Sequence, residues 1–500
     1  MKLVRKTAWI TAAIIAVPLP VLAATTAPGG APPQVVAAVP TAARPLVDWT
    51  APYPQTDSPT RGYPVLGGLS TTELYHAAPS TGTYSHHPMV THQGGTLFAS
   101  WSNGVVNEDN PGQRVLGTVS TDGGGGWAGW KVYFPPQDKT PPDEPGSDGR
   151  VPGRVLTADG YATIGADVYA VAEVWDWVQK GDDRTQKGWG RVARRVAPDG
   201  TLGPIFWLEP TSPEPKPGFP SYPNASDPRY GAIARQITAY LADSRNTPPW
   251  DYKSGWTEDY PAADGQTLGH VTHAYVQADG TYVRLWRGNN TGKLYAQASR
   301  DRGRTWDPAI RTSMPDARSK SFAGQLPDGQ AYVVGNEQPP TQRDPMSISL
   351  ASDGVHFDRV GVIRYAAPPL RYTGGHKNPG FEYPSAIATD TDLWVVYSVN
   401  KEDVAITKVP LSSLPVTTDD LPGIILEGAR SRAISDGRLA VQLAGQANKI
   451  MKEVGGGASV QAVADELAAL RRRVGEQSGK GITPAYAKLL QQDITIASGG

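Results

Sequence analysis

The sequence predicts an all-β propeller, with five blades readable and up to seven allowed, followed by a small C-terminal three-helix module. Three observations carry that expectation. First, HPMVTHQGGTLFASWSN (87–103) and YPSAIATDTDLWVVYSV (383–399) share one pattern: an apolar run, a polar turn, and an apolar run ending in aromatic-Ser. Their offset is constant, since 383 − 87 and 397 − 101 both give 296. Paired runs of this kind are hairpin signals, and their looser recurrence at 270–288 and 321–337 marks a repeated four-stranded unit. Second, the pattern S-x-D-x-G-x-x-W occurs at Ser120–Trp127 and Ser299–Trp306, each between the last two strands of a unit, with a degenerate third copy, SDGVHF, at 352–357. Its Asp caps the N–H groups of a tight turn, its Gly permits positive φ, and its Trp packs beneath. Third, 55 Gly and 46 Pro among 500 residues favour many short strands over long helices.

Taken in order, residues 1–23 read as a signal peptide: Lys2, Arg5 and Lys6, then an apolar run from Ala8 to Leu19, then Val21-Leu22-Ala23. The expectation is therefore a secreted, extracellular protein. Residues 24–45 are Ala/Pro/Thr-rich and read as a disordered leader, and 46–414 as the propeller. Unit one spans HPMVTH to WKVYF, and unit two runs from Arg154 to Leu208. A Pro-rich insertion follows at 211–266, with one helix from Asp227 to Leu241; Asp227 is its N-cap and Pro228 its first residue, and the ligand rim is its expected place. Units three (268–312) and four (319–364) follow. Unit five, from Tyr383 to about Leu411, lacks an outer strand, which the N-terminal segment is expected to supply. Residues 427–500 form the helical module, with helical periodicity at 433–454, 459–475 and 483–497; Ser459 and Thr483 are N-caps and Pro484 lies in a first turn.

Net charge is −1, so no global field draws nucleic acid or an anionic membrane to this chain. There is no cysteine, which excludes thiolate chemistry. A monomer is expected. Strand direction alternates within a blade, so one face collects the start of the innermost strand, the end of the second and the start of the third. On it stand His86, His87, Asn103, Arg114, Arg154, His273, Arg287, Arg371, Lys377 and Tyr383, along with Glu108, His270, Lys320, Arg343, Glu382 and Lys401. Strand alternation sends one of the adjacent pair His86 and His87 into the ring and the other into blade packing. The set is poor in the carboxylate clusters a metal wants; no cofactor is expected, with room left for a structural Ca²⁺ in the channel.

The repeated boxes and blade pattern resemble the sialidase-like (Asp-box, BNR-repeat) propellers. In sialidases an Arg-Ile-Pro motif supplies the arginine that binds the sialic acid carboxylate; the aligned tripeptide here is His86-His87-Pro88, so that arginine has no counterpart. Tyr383 resembles the sialidase tyrosine. The run YSHHPMVTHQGGTLFASWSNG…EDNPGQRV looks more like the propeller polysaccharide lyases of the ulvan and rhamnose–glucuronate type, over roughly 84–410. The second ulvan-lyase histidine is missing, its region reading Asn107-Glu108-Asp109, so ulvan itself does not carry over. The C-terminal segment resembles FIMAH modules. The resemblance implies a lyase acting on a uronic-acid polysaccharide by β-elimination. His87 would be the base with His86 next in line, and Tyr383 the acid. Arg154, Arg114, Arg287 and Lys377 would clamp the carboxylate, with His273, Asn103 and Arg371 also contacting substrate. Two alternatives stay open: a sialidase-like exo-glycoside hydrolase using Tyr383, and a non-catalytic glycan-binding propeller using stacking aromatics such as Trp175 and Trp286.

Overall fold

Five antiparallel blades close into a ring, four of them four-stranded and the third extended to six strands by Tyr260–Pro261 and by an inner strand split into Thr267–Val271 and Tyr275–Val276. This is the arrangement in a computed structural model, which describes residues 45–137, 153–180, 183–209, 221–246, 260–338 and 342–498. The signal-peptide reading and nearly all of the leader fall outside the described residues. The innermost strands are Tyr84–Gln93 in blade I, Gly153–Ile164 in blade II, Thr267–Val271 in blade III, Phe322–Gln325 in blade IV and Phe381–Ala388 in blade V. The blade count is five, at the low end of the expected range.

The missing outer strand of blade V is Ser70–Tyr75, which pairs antiparallel with Asp403–Pro410. Ring closure by the N-terminal segment ties the two ends of the propeller together, and the closing strand covers the edge of Asp403–Pro410. Upstream of it, Asp48–Trp49 pairs in parallel with His356–Phe357. Trp49 and Tyr63 pack into the core shared by blades III and IV.

The two complete boxes fold identically. Ser120 Oγ donates to Asp122 at 2.8 Å and accepts from Gly124 N at 2.8 Å; Ser299 Oγ makes the same bonds with Asp301 and Gly303 at the same distances. The aspartate then accepts from Gly126 N or Thr305 N at 2.9 Å. These backbone and side-chain donors hold both carboxyls below their usual range.

The described part of the insertion differs from expectation. Helix α1 (Gly231–Leu241) begins four residues after Asp227, which caps a preceding turn by accepting from Arg229 N at 2.9 Å. Ala234, Ile237 and Leu241 pack across blade II, against Ala162 of its innermost strand as well as Tyr169, Val171, Ala193 and Phe206. The segment then reaches the second box, where a Cβ on Gly303 would meet Ser244 Oγ at 2.5 Å. Residues 221–246 of the insertion thus reach the box face, not the opposite face where the ligand was expected, whereas Tyr260–Pro261 pairs with Thr267–Leu268 at the start of the inner strand of blade III.

The helical part contains α2 (Leu421–Arg430), α3 (Gly437–Gly455), α4 (Val460–Gln477) and α5 (Pro484–Ala497). The first of these begins before the expected boundary at 427 and was not among the expected helices, although Asp420 stands at its N-cap and Pro422 in its first turn. Ser459 caps α4 through Ala462 N, whereas Thr483 makes no side-chain cap. None of the described helices is long and apolar enough to cross a membrane.

Leu489 of α5 inserts into the core of blades IV and V. Beside it, the buried carboxyls of Asp328, Asp420 and Asp493 share one guanidinium, Arg359, which sits 2.9 Å from Asp420. Burial, then Asp328 and Asp420, push the Asp493 carboxyl well up against the pull of Arg359. A carboxyl whose folded pKa is raised contributes fully below its unfolded pKa, about 3.9, and loses that contribution as pH climbs toward the folded value. Asp493→Asn is therefore expected to raise Tm by about 2 °C or more near pH 8, and to leave it unchanged near pH 4; a thermal melt at both pH values checks this.

Candidate active site at the ring centre

Four innermost strands carry a β-bulge at the same place. The register shifts between His86 and Met89, Ala158 and Tyr161, Gly269 and Val271, and Glu382 and Ser385. In blades I and V the cause is legible: Pro88 and Pro384 lack an N–H, so the ladder cannot continue through them. A residue in the left-handed region sits at each bulge: His87 (φ 51°), Gly160 (φ 103°), His270 (φ 42°) and Tyr383 (φ 52°). For a residue with a Cβ that conformation costs about 1–2 kcal/mol. Three such residues at one ring centre mark a place where side-chain aim outweighs backbone ease.

The bulge also defeats strand alternation. His86 and His87 both turn into the centre, with ring centroids 4.1 Å apart, and the His86 ring lies 3.9 Å from that of Tyr383. The sequence-based expectation that only one histidine enters is thus corrected. His87 and His270 lie 5.8 and 5.6 Å from the Tyr383 ring. Blades V and I are stitched beside them: Ser85 N donates to Lys401 O at 2.8 Å, and Ser398 Oγ to Ser85 O at 2.8 Å.

Cations surround the rings. Arg287 Nη1 donates to the Tyr383 hydroxyl at 3.2 Å. Arg343 and Lys401 lie 5.5 and 5.6 Å from the Tyr383 ring centre. The nearby carboxylates are engaged: Arg343 binds Glu382, and Lys401 Nζ sits 3.2 Å from both oxygens of Glu108. Burial pushes Glu108 up, but Lys401 and His376 outweigh it and hold the group low, whereas burial of Glu382 prevails over Arg343 and Lys401 and raises it.

Burial is the main force that drives both imidazoles well below the ordinary 6.5; His87 and Lys401 add to it at His86, and Lys320, His270 and Lys401 at His87. Both are neutral bases at neutral pH. Because the unfolded chain takes up protons first, their contribution to stability is present above 6.5 and lost as pH falls below it. Melting curves from about pH 7.5 down to 5 should show this loss, and His86→Gln should flatten it.

Neither His86 nitrogen makes a hydrogen bond among the described residues; Glu108 Oε1 lies 3.3 Å from Nε2. Ligand atoms of His86, His87 and Glu108 come within 4.8 Å of one another. A cation there would face Lys401 on Glu108, with Arg343 and Lys320 adding positive charge, so the electrostatics oppose it.

Of the sequence-predicted residues, His86, His87, Tyr383 and Arg287 come together. The others are placed differently. Arg114 donates to Asn103 Oδ1 and Thr81 O, both at 2.9 Å, and Asn103 in turn binds Tyr75, Tyr84 and Ser85; the pair braces blade I against the closing strand of blade V and the link that follows it. Arg154 is buried against Asp176 at 2.9 Å and stacks over Trp189. Lys377 Nζ donates to Thr83 O at 2.8 Å, and burial pushes its amine down to about 8. Arg371 binds Glu402, Asp403 and His76 near the surface. His273 packs on Phe322 at 4.7 Å and lines a channel cavity of about 350 Å³ beyond the bulges, with Met89–Thr91 and Ser385–Ala388. Trp175 and Trp286 are fully buried and bond Thr157 and Gln297, which removes them as glycan platforms. Residues on the face that received no role, His270, Lys320, Arg343 and Lys401, make up the cluster's rim of charge; the shared strand-start register of His87, His270 and Tyr383 was the signal that could have found the first.

Family comparisons agree with this architecture. Residues 72–252 match the BT_1020-like, N-terminal beta propeller model, and residues 229–395 match the BNR repeat-like domain. A solved chain titled "Sialidase" is similar at 22% identity and TM-score 0.59, over 74% of this chain and 36% of that one. Both models describe repeat propellers, and the solved sialidase shares the fold. The chain spans little more than a third of that solved chain. Trypanosoma rangeli sialidase in complex with sialic acid is a more distant likeness, at 12% identity and TM-score 0.41 over 70% of this chain and 60% of that one. A search of curated protein sequences returns no match.

Proposed function

We propose that the ring centre is the active site of a carbohydrate-active enzyme, a lyase that cleaves an exported acidic polysaccharide beside a uronate. One observation carries this reading: a neutral imidazole and a phenol share a strained, cation-rimmed centre whose nearest carboxylates, Glu108 and Glu382, are held in ion pairs. That composition suits proton abstraction better than carboxylic-acid catalysis. In β-elimination the C5 proton passes to His87, the C4–O bond breaks as a C4–C5 double bond forms, and Tyr383 protonates the leaving oxygen. The C5 proton becomes labile only when the adjacent carboxylate is neutralised, and Arg287, Arg343 and Lys401 supply that field; Lys320, whose amine burial pushes down to about 7, adds to it only on the acid side.

His87 Nδ1 lies 3.3 Å from Ser102 Oγ, which also accepts from Ala158 N at 2.9 Å. With the proton on Nδ1, Nε2 is the accepting atom. A bound carboxylate offsets the cations that depress His87, so substrate binding itself raises the base strength.

A second reading, a glycoside hydrolase with Tyr383 as nucleophile, is favoured by the Arg287–Tyr383 bond and by the sialidase title of the solved chain. Incubation with glucuronate-bearing polysaccharides separates the two. The lyase gives the ultraviolet absorbance of an unsaturated uronate. New reducing ends without that absorbance favour the hydrolase and overturn the lyase.

A further inference from the structure

Arg287 reaches Tyr383 through a bracket that the reaction chemistry alone does not require. Its Nε donates to Asn289 Oδ1 at 3.3 Å, and its Nη1 to the Tyr383 hydroxyl at 3.2 Å. The guanidinium crosses the backbone at Gly269, the residue before the His270 bulge; a Cβ there would lie 2.6 Å from Arg287 Nη2 and 3.1 Å from Asn289 Oδ1. That clearance is available only to glycine, although the backbone of Gly269 itself is unstrained. Behind the guanidinium is Asp316, a buried carboxyl on the link from blade III to blade IV. It accepts from Gly288 N at 3.1 Å and from Arg318 N at 3.0 Å, so it grips the residue directly after Arg287.

We propose that Gly269, Asn289 and Asp316 form a positioning set that holds Arg287 on the Tyr383 hydroxyl. The inference rests on the ring centre being the active site, and it names residues to which that reading gives no role.

The set has a pH dependence of its own. Burial pushes the Asp316 carboxyl up to about 7, against Arg287 and the backbone donors of Gly288, Ser319 and Arg318. Arg287, from the second strand of blade III, is the cation that faces it; Glu337, from blade IV, is the facing acid and is itself pushed up to about 7, by burial first. Arg318 and Ser319 contribute backbone N–H groups only. As pH rises through that range Asp316 gains its charge behind Arg287, and the buried Lys320 amine of the ring centre, pushed down to about 7, loses its own; both draw positive potential away from the phenol and from a substrate carboxylate. Binding of an anionic sugar therefore weakens on the alkaline side.

The test uses the full chain labelled with ¹³Cζ-tyrosine, the Tyr383 resonance being assigned with Tyr383→Phe. In the parent protein that resonance is expected to shift as pH passes through about 7. The step should shrink in Asp316→Asn to the part carried by Lys320, vanish in the double variant Asp316→Asn/Lys320→Met and persist in Asp316→Glu, and Gly269→Ala should displace the resonance at every pH. A step unchanged in Asp316→Asn, with no displacement in Gly269→Ala, overturns the positioning set. Should Asp316→Asn fail to fold, Asn289→Ala carries the test, with displacement of the resonance supporting the set and its absence opposing it. On a turned-over uronate polymer, Gly269→Ala should lower kcat/KM about tenfold, the worth of one hydrogen bond to a charged group, and Asp316→Asn should reduce the alkaline rise in KM. A merely structural role would lower Tm without changing either pH profile. If no uronate polymer is turned over, the proposed reaction fails while the spectroscopic arm still decides the positioning set.

Discussion

Tyr383→Phe is expected to lower kcat about a thousandfold with little change in KM, because it removes the proton that the leaving oxygen needs. The substitution deletes one oxygen. It keeps the ring that stacks 3.9 Å from His86 and lies beneath Arg343 and Lys401, so the cluster stays packed. The loss falls on the hydroxyl that accepts from Arg287 at 3.2 Å, which makes Arg287 the second place to look. Arg287→Met leaves that hydroxyl without its donor and removes one cation from the carboxylate field; it should raise KM as well as lower kcat. Steady-state kinetics on a glucuronate polymer, with Tm as the folding control, measures both. Full activity in Tyr383→Phe would end the reading of the ring centre as the reacting site.

His87→Gln is the substitution that separates the two chemistries. Glutamine keeps a polar group near Ser102 but cannot accept the C5 proton, and elimination should fall by about a hundredfold to a thousandfold. A hydrolase that uses Tyr383 as nucleophile has no need of that base and would keep most of its rate. The two outcomes are read in one assay by following unsaturated product and reducing ends together. Because His87 occupies the left-handed region at φ 51°, glutamine meets the same backbone strain as the parent residue. A Gly in its place would relax the backbone and confuse the comparison. His86→Gln tests the neighbouring ring: it makes no hydrogen bond among the described residues, and its effect should fall on acid stability more than on rate.

Much of the propeller was legible because its signals are local. A hairpin needs only an apolar–polar alternation and a turn, and the box needs a Ser, an Asp, a Gly and a Trp within eight positions. The structure builds the boxes at Ser120 and Ser299 with matching hydrogen bonds. The closing strand was legible for a different reason: blade V was one strand short, and an open edge demands a partner, which Ser70–Tyr75 supplies. The helical segments at the C-terminus followed from periodicity, but α2 did not. Its sequence, LPGIILEGAR, follows Asp420 and carries Pro422 in its first turn, but the apolar run is too short for helical periodicity to stand out, and packing against α3 and α5 secures it.

The site was legible only in outline. Sorting residues by face put the cluster's members on one list, but the same list held Arg114, Arg154, Lys377 and Arg371, which serve other partners. A guanidinium on the right face can brace a blade, pair with a carboxylate or meet a substrate, and nothing within a strand distinguishes these outcomes. Alternation failed at His86 for a physical reason already written in the chain: Pro88 interrupts the ladder, the bulge adds a residue, and both imidazoles turn inward.

By itself the sequence determined the periodic things: a ring of short antiparallel hairpins, tight turns on one face, proton-carrying and cationic residues on the other. Those depend on side-chain type at a fixed spacing, which local sterics and burial suffice to set. Only the tertiary structure decided which five blades meet, that four bulges align at one height, and which cations stand against Tyr383 rather than against a neighbouring carboxylate. Those outcomes depend on distances between residues hundreds of positions apart, and on burial that strips water from them, and both come into being only when the ring closes.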